Sequence, residues 1–149
     1  MQQINTAVLS FGMSGQVFHA PFLQVNDGFN FYAVWERTKN LAQEKYPSVN
    51  TFRTLEELLS DEAIELVVVN TPSVTHYDYA KQCLQAGKNV IVEKPFTATV
   101  EEGEELIKLA KEKGVMLSVY QNRRYDSDYK ALKKVVDGKL LGELIEAEF

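Results

Sequence analysis

Short apolar runs and longer amphipathic stretches take turns along the chain from Thr6 to Tyr120. The runs are Thr6–Leu9, Phe29–Trp35, Val49–Phe52, Leu66–Val69, Asn89–Val92 and Val115–Tyr120, and their β-branched and aromatic content predicts six strands. Leu66-Val67-Val68-Val69 has no polar alternation, as expected of a parallel strand covered on both faces. Between the runs, apolar residues return at helical spacing. Val17, Phe18, Phe22 and Leu23 predict a first helix, split near His19-Ala20-Pro21 because Pro21 has no N–H to donate. Leu41 to Tyr46 predicts a short helix stopped by Pro47. Two capping boxes, Thr54-Leu55-Glu56-Glu57 and Thr99-Val100-Glu101-Glu102, open helices whose buried faces are Leu55, Leu58, Leu59 and Leu106, Ile107, Ala110. The second of these ends before Gly114. Tyr79, Ala80, Cys83 and Leu84 mark another buried stripe, closed by Gly87. Strands alternating with helices through short turns predict an α/β fold, a doubly wound parallel sheet whose chemistry gathers at the carboxyl ends of the strands.

After Tyr120 the pattern changes. Asp126 or Ser127 caps a helix reaching Val136, and Ile145-Glu146-Ala147-Glu148-Phe149 then alternates apolar and acidic residues. Such a strand, wet on one face, belongs to an antiparallel sheet. The expectation is one domain over residues 1–122, with 123–149 forming a connecting helix and the first strand of a second, absent domain. Its open edge invites pairing with another chain, so a homo-oligomer is expected.

Composition narrows the function classes. Among 149 residues, 16 basic and 21 acidic side chains give a net charge of −5, with no continuous Lys/Arg patch for nucleic acid or a membrane surface. The single Cys83 allows no internal disulfide and sits on an apolar helix stripe, where it reads as core. Neither a signal-type segment nor a run of membrane-spanning length is present, which makes the cytoplasm the expected location. No His/Cys/carboxylate grouping has metal-ligand spacing.

Chemistry concentrates at the end of the first run. Ser10-Phe11-Gly12-Met13-Ser14-Gly15 has the G-x-G-x-x-G spacing of a Rossmann fold with Ser10 in place of the first glycine. The two remaining glycines serve backbone approach to a pyrophosphate and close packing of helix on strand, so these six residues are expected to bind a dinucleotide. Glu36 follows Gly15 by 21 residues, near the interval at which such a unit places the acid for the adenosine ribose. Cofactor choice turns on Glu36-Arg37-Thr38-Lys39: the carboxylate suits free ribose hydroxyls, whereas Arg37 and Lys39 could neutralise a 2′-phosphate and Thr38 could bond it. NAD or NADP therefore fits, with a modest preference for NAD. The other strand ends are Asn70-Thr71-Pro72, Glu93-Lys94-Pro95 and Gln121-Asn122-Arg123.

With the glycine turn, Asn70-Thr71-Pro72 and Glu93-Lys94-Pro95 together, the chain resembles the glucose–fructose oxidoreductase/inositol dehydrogenase (Gfo/Idh/MocA) family over essentially its whole length. Gly15-Gln16-Val17-Phe18-His19-Ala20-Pro21 and Gln121-Asn122-Arg123-Arg124-Tyr125 are similar to the branch that includes scyllo-inositol dehydrogenases. The resemblance implies hydride transfer between a nicotinamide cofactor and a hydroxyl-bearing carbon of a sugar, inositol or related polyol. It places Lys94 beside the reacting hydroxyl as the catalytic residue and has Pro95 shape the loop at the nicotinamide. Glu93 is expected to orient Lys94, and Asn70, Thr71, Pro72, His76, Glu93, Pro95 and Asn122 join the cofactor-binding set. His19, next to Pro21, is expected to be packed or capping. A second class of function remains open on the residues alone: a dinucleotide sensor without catalysis, in which Lys94 only balances the cofactor's charge.

Overall fold

A computed structural model describes residues 2–146 and Glu148. Six strands form one parallel sheet: β1 (Ile4–Val8), β2 (Phe29–Trp35), β3 (Asn50–Phe52), β4 (Leu66–Val69), β5 (Asn89–Glu93) and β6 (Leu117–Tyr120), in the spatial order β3-β2-β1-β4-β5-β6. The helices are α1 (Ala20–Val25), α2 (Leu41–Lys45), α3 (Leu55–Ser60), α4 (His76–Gln85), α5 (Val100–Lys113) and α6 (Ser127–Asp137). The strand order reverses between β1 and β4, which pair in register from Thr6 against Leu66 to Val8 against Val68. This is the Rossmann arrangement, and a crevice opens at such a switch point.

Side chains alternate into two cores, except that a bulge in β2 between Phe31 and Ala33 sends these two residues to opposite faces. Ala7, Leu9, Ala33, Val67, Val69, Val90 and Val92 pack against Leu55 and Leu58 of α3, Ala80, Cys83 and Leu84 of α4, and Leu106 and Ala110 of α5. Val8, Phe31, Val34 and Val68 face the other way, onto Ala20 of α1 and Ala42 of α2. Burial pushes the Cys83 thiol up to about 12, so it is an inert core residue. Both capping boxes form, with Thr54 and Thr99 accepting from the backbone of Glu57 and Glu102 while those glutamates accept in return. Gly114 ends α5 at φ +67°, a left-handed position suited to glycine.

Three expectations about faces are corrected. The first helix divides at the expected place, but as a π-helical turn, Gly15–His19, followed by α1. Because Pro21 cannot donate, the Ala20 N–H reaches back five residues to the Gly15 carbonyl and widens the turn. The widened turn carries His19 and Ala20 inward, while Val17 and Phe22 stand exposed. In α5, Leu106 and Ala110 are buried but Ile107 is 46% exposed, one step round from the stripe. No strand forms at Ile145, Glu146 or Glu148, since a strand is held by pairing and no neighbouring strand faces this segment among the described residues. Ala147 and Phe149, also expected in that strand, lie outside the described residues.

Candidate functional site

β1 ends in a turn that β4 builds from the side. The Asn70 carboxamide, just past β4, accepts the Ser10 N–H at 2.9 Å and donates to the Ser10 carbonyl at 2.8 Å, extending strand-like pairing two residues beyond β1. Asn70 is buried, so it shapes the turn from beneath. Ser10, standing where the motif has glycine, stabilises the turn by accepting the Gly12 N–H on its hydroxyl at 3.3 Å. A Cβ on Gly15 would lie 2.1 Å from the Ser10 carbonyl oxygen and 3.2 Å from Asn70 Nδ2, whereas one on Gly12 would meet only Ser10 Oγ at 3.5 Å. Gly15 is therefore required by the fold, and Gly12 is left open toward solvent. The Phe11 ring is buried with Phe31 and Tyr46, so only its backbone borders the turn, and Met13 is exposed.

The Glu93-Lys94-Pro95 segment leaves β5 and is anchored on both sides. Glu93 Oε1 accepts from Ser14 Oγ at 3.1 Å and from His19 Nε2 at 2.9 Å, while Oε2 accepts the Lys94 N–H at 3.1 Å. A carboxylate can only accept, so the His19 proton sits on Nε2. The glycine turn and the lysine thus share one carboxylate. On the far side, His76 is 1% exposed, with Nδ1 at 2.7 Å from the Pro95 carbonyl and Nε2 at 2.9 Å from the Thr71 carbonyl. It joins the two loops. The Lys94–Pro95 peptide is cis, and the Lys94 side chain is exposed.

Burial lowers the pKa of His19 from its ordinary 6.5, outweighing the hydrogen bond and charge of Glu93 that pull it upward. As pH falls through 6.5 the unfolded chain takes up a proton that the buried ring resists. The stabilisation is complete above that point and is lost as pH drops toward the folded value. Thermal melts from pH 7 to pH 5 should therefore fall more steeply for the native chain than for His19→Gln; equal slopes would remove His19 as the source.

Beyond β2 lies a cleft of about 560 Å³, lined by Ser10, Phe11 and Gly12 on one side, Glu36, Arg37, Thr38 and Lys39 on another, and Thr71 and Pro72 on a third. Trp35, Thr75 and Tyr79 also line it, the first and last as a T-shaped aromatic pair with centroids 5.4 Å apart. Tyr79 reads in the sequence as helix core, and its place in the wall escapes that reading because the helix's stripe also points at the strand ends. Glu36 is turned inward: its carboxylate accepts the N–H groups of Leu41 at 3.3 Å and Ala42 at 3.0 Å. Met13, Ser14, Gly15, Asn70, His76, Glu93, Lys94 and Pro95 lie outside this lining. Asn122 borders a second, wider cleft of about 1220 Å³ with Phe18, Phe22, Tyr120, Arg123 and Arg124. Tyr120 links this second cleft to the first turn, its ring 4.5 Å from that of His19 and its hydroxyl donating to the Phe18 carbonyl at 2.9 Å. Among the described residues no group of three or more His, Cys, Asp or Glu is placed to hold a metal, and no helix is long and apolar enough to cross a membrane.

Residues 4–121 match the family model described as an oxidoreductase family with an NAD-binding Rossmann fold. The chain belongs to the Gfo/Idh/MocA oxidoreductase family. Within that family it is 46% identical over 133 residues to a scyllo-inositol 2-dehydrogenase (NADP(+)) of Bacillus subtilis, covering 89% of this chain and 37% of that one. It is also 31% identical over 147 residues to a scyllo-inositol 2-dehydrogenase (NAD(+)) of the same organism, covering 96% of this chain and 43% of the relative. The crystal structure of an oxidoreductase from Bacillus cereus superposes with a TM-score of 0.90 at 40% identity, over 96% of this chain and 42% of the other. The chain thus spans less than half the length of these relatives.

Proposed function

We propose that this chain holds the cofactor cleft and the catalytic lysine of an NAD(P)-dependent dehydrogenase acting on a hydroxyl-bearing carbon of a sugar, inositol or related polyol. The observation that carries this reading is the shared Glu93 carboxylate, which ties the glycine turn to the backbone of Lys94. A turn that takes the nucleotide and the backbone that carries the ammonium, two strands away in the sheet, are thereby held by one group. The cleft supports it, being of small-molecule size and set at the switch point of the sheet.

In this reading the pyrophosphate rests against Gly12, where the backbone is open, and the adenosine lies toward Glu36–Lys39. That direction carries the nicotinamide toward β5. The nicotinamide supplies the hydride acceptor or donor. Lys94 hydrogen-bonds the substrate oxygen and stabilises the negative charge that appears there as the hydroxyl proton leaves to a base of the second domain, a charge that becomes the carbonyl bond as the carbon gives up hydride. His76 and Glu93 keep the lysine's loop in place from its two sides. Residues 123–149 lead into the second domain that the relatives' greater length accommodates, and that domain supplies the rest of the substrate site.

Calorimetric titration of this chain with NADP(H) and NAD(H) should give binding weaker than in a protein of the relatives' full length. No heat and no thermal shift with either at millimolar concentration would overturn the cofactor assignment. Substrate class is tested separately, by following nicotinamide reduction in the full-length protein with scyllo-inositol and with aldoses; silence with all of them would overturn that part alone.

A further inference from the structure

We infer that His19 is a positioning residue for Lys94: its buried imidazole holds the Glu93 carboxylate, and through Glu93 it sets where the Lys94 backbone, and with it the ammonium, stands. This rests on the role given to Lys94 above.

Burying an imidazole is costly unless its polar atoms find partners. His19 is only 4% exposed, and the π-helical turn Gly15–His19 is what carries it inward. Turns of this kind occur frequently at functional sites. Here the turn brings Nε2 to 2.9 Å from Glu93, the last residue of β5 and 74 positions further along the chain. The Tyr120 ring, at the end of β6, packs against the imidazole at 4.5 Å between centroids, and its hydroxyl is committed to the Phe18 carbonyl. His19 is thus wedged between β6 and the carboxylate.

Glu93 passes this rigidity on. Its Oε1 accepts from His19 Nε2 and Ser14 Oγ, and its Oε2 accepts the Lys94 N–H at 3.1 Å. The two oxygens of a carboxylate are rigidly joined, so what fixes Oε1 also directs Oε2. The two donors on Oε1 differ in permanence. Ser14 is half-buried and belongs to the turn proposed for the dinucleotide, where a phosphate can recruit its hydroxyl. His19 lies beneath the turn and keeps its bond whether or not a ligand is present. That bond joins side chains only 4% and 13% exposed, where water competes little and a hydrogen bond to a charged group is worth most. The Lys94 side chain is exposed, so its direction is inherited from its backbone, which Glu93 holds at the N–H while His76 meets the next carbonyl.

His19→Leu keeps an apolar body against Tyr120 and removes the donor, whereas His19→Gln keeps an N–H donor at the end of its side chain. Solvent exchange of the Lys94 amide, followed by NMR on this chain, should be about tenfold faster in His19→Leu and near native in His19→Gln. Amides of β1 and β4 should exchange as in the native chain. His19→Met, a more adaptable filler, is read where the leucine variant fails to fold. In the full-length protein His19→Leu should lower kcat for polyol oxidation on the order of 10- to 10²-fold with the cofactor's KM little changed, and His19→Gln should recover most of the loss. Added to Glu93→Ala, His19→Leu should lower kcat no further, since the histidine acts through that carboxylate. An unchanged Lys94 exchange rate, an unchanged kcat in His19→Leu, or a second full loss in the Glu93→Ala background overturns the positioning role and leaves the dehydrogenase reading standing. If the full-length native protein oxidises no polyol, that reading falls, and the exchange rates on this chain still decide whether His19 holds Lys94.

Discussion

Gly15→Ala should both destabilise the chain and abolish dinucleotide binding, whereas Gly12→Ala should do only the second. The added Cβ at Gly15 falls 2.1 Å from the Ser10 carbonyl oxygen, a backbone atom that the Asn70 carboxamide already holds in place. Neither partner can withdraw without breaking the bonds that shape the turn. Forced overpacking of this kind costs on the order of 3 kcal/mol, which for a chain of this size lowers the melting temperature by roughly 10 °C. At Gly12 the same atom meets only the Ser10 hydroxyl oxygen at 3.5 Å, an ordinary contact, so the melting temperature should hold. What Gly12→Ala removes is space for a ligand: the backbone there is exposed, and a methyl group keeps a pyrophosphate from approaching it. The pair is read by thermal melts beside calorimetric titration with NADP+. Unchanged NADP+ affinity in Gly12→Ala would move the pyrophosphate away from this turn, and an unchanged melting temperature in Gly15→Ala would contradict the steric account of the fold.

The contrast between these glycines marks what a sequence carries and what it leaves out. Spacing alone identifies both as motif positions, because the strand-turn-helix signal is local. The capping boxes at Thr54 and Thr99 are legible for the same reason, since every partner lies within three residues. The partner that makes Gly15 indispensable sits 60 residues from Ser10, at the end of another strand, and no pattern within either segment reveals that Asn70 folds back onto Ser10. Glu36 fails differently. Its position in the chain is right for a ribose ligand, yet its direction is decided by amides five and six residues ahead that need an acceptor. Asn40 at the start of α2 is a capping residue type, but it makes no cap bond and its side-chain oxygen accepts from Arg53 instead, a diversion that no local pattern reveals. Exposure of Val17 and Phe22 shows the limit of periodicity, which identifies a possible face but not the π-helical turn that rotates it. His19 and His76 were visible only as residues near a proline and near a helix start; their ties to Glu93, Thr71 and Pro95 come from the sheet bringing β4, β5 and the first turn side by side.

Lys94→Ala in the full-length protein should lower turnover far more than it lowers cofactor affinity. If the ammonium stabilises the negative charge left on the substrate oxygen as its hydroxyl proton departs, its interaction is stronger in the transition state than with the bound alcohol, and its loss appears in kcat. Removing one such donor costs on the order of 10² to 10³ in rate, about 3–4 kcal/mol. Cofactor affinity should change little, because the side chain lies outside the nucleotide cleft and is exposed. The backbone should hold too, since Glu93 grips the Lys94 N–H and His76 meets the Pro95 carbonyl, neither of which involves the lysine side chain. Lys94→Arg keeps a positive charge and separates electrostatic balance from chemistry. A guanidinium is planar, cannot occupy the ammonium's position and does not release a proton at working pH, so turnover should stay low. In a sensor that uses Lys94 only to balance the cofactor's charge, the ranking inverts: Lys94→Ala would weaken nucleotide binding and Lys94→Arg would restore it. Near-native turnover in Lys94→Ala on the natural substrate, or restored function in Lys94→Arg, would take the catalytic role away from this lysine and give the advantage to the sensor.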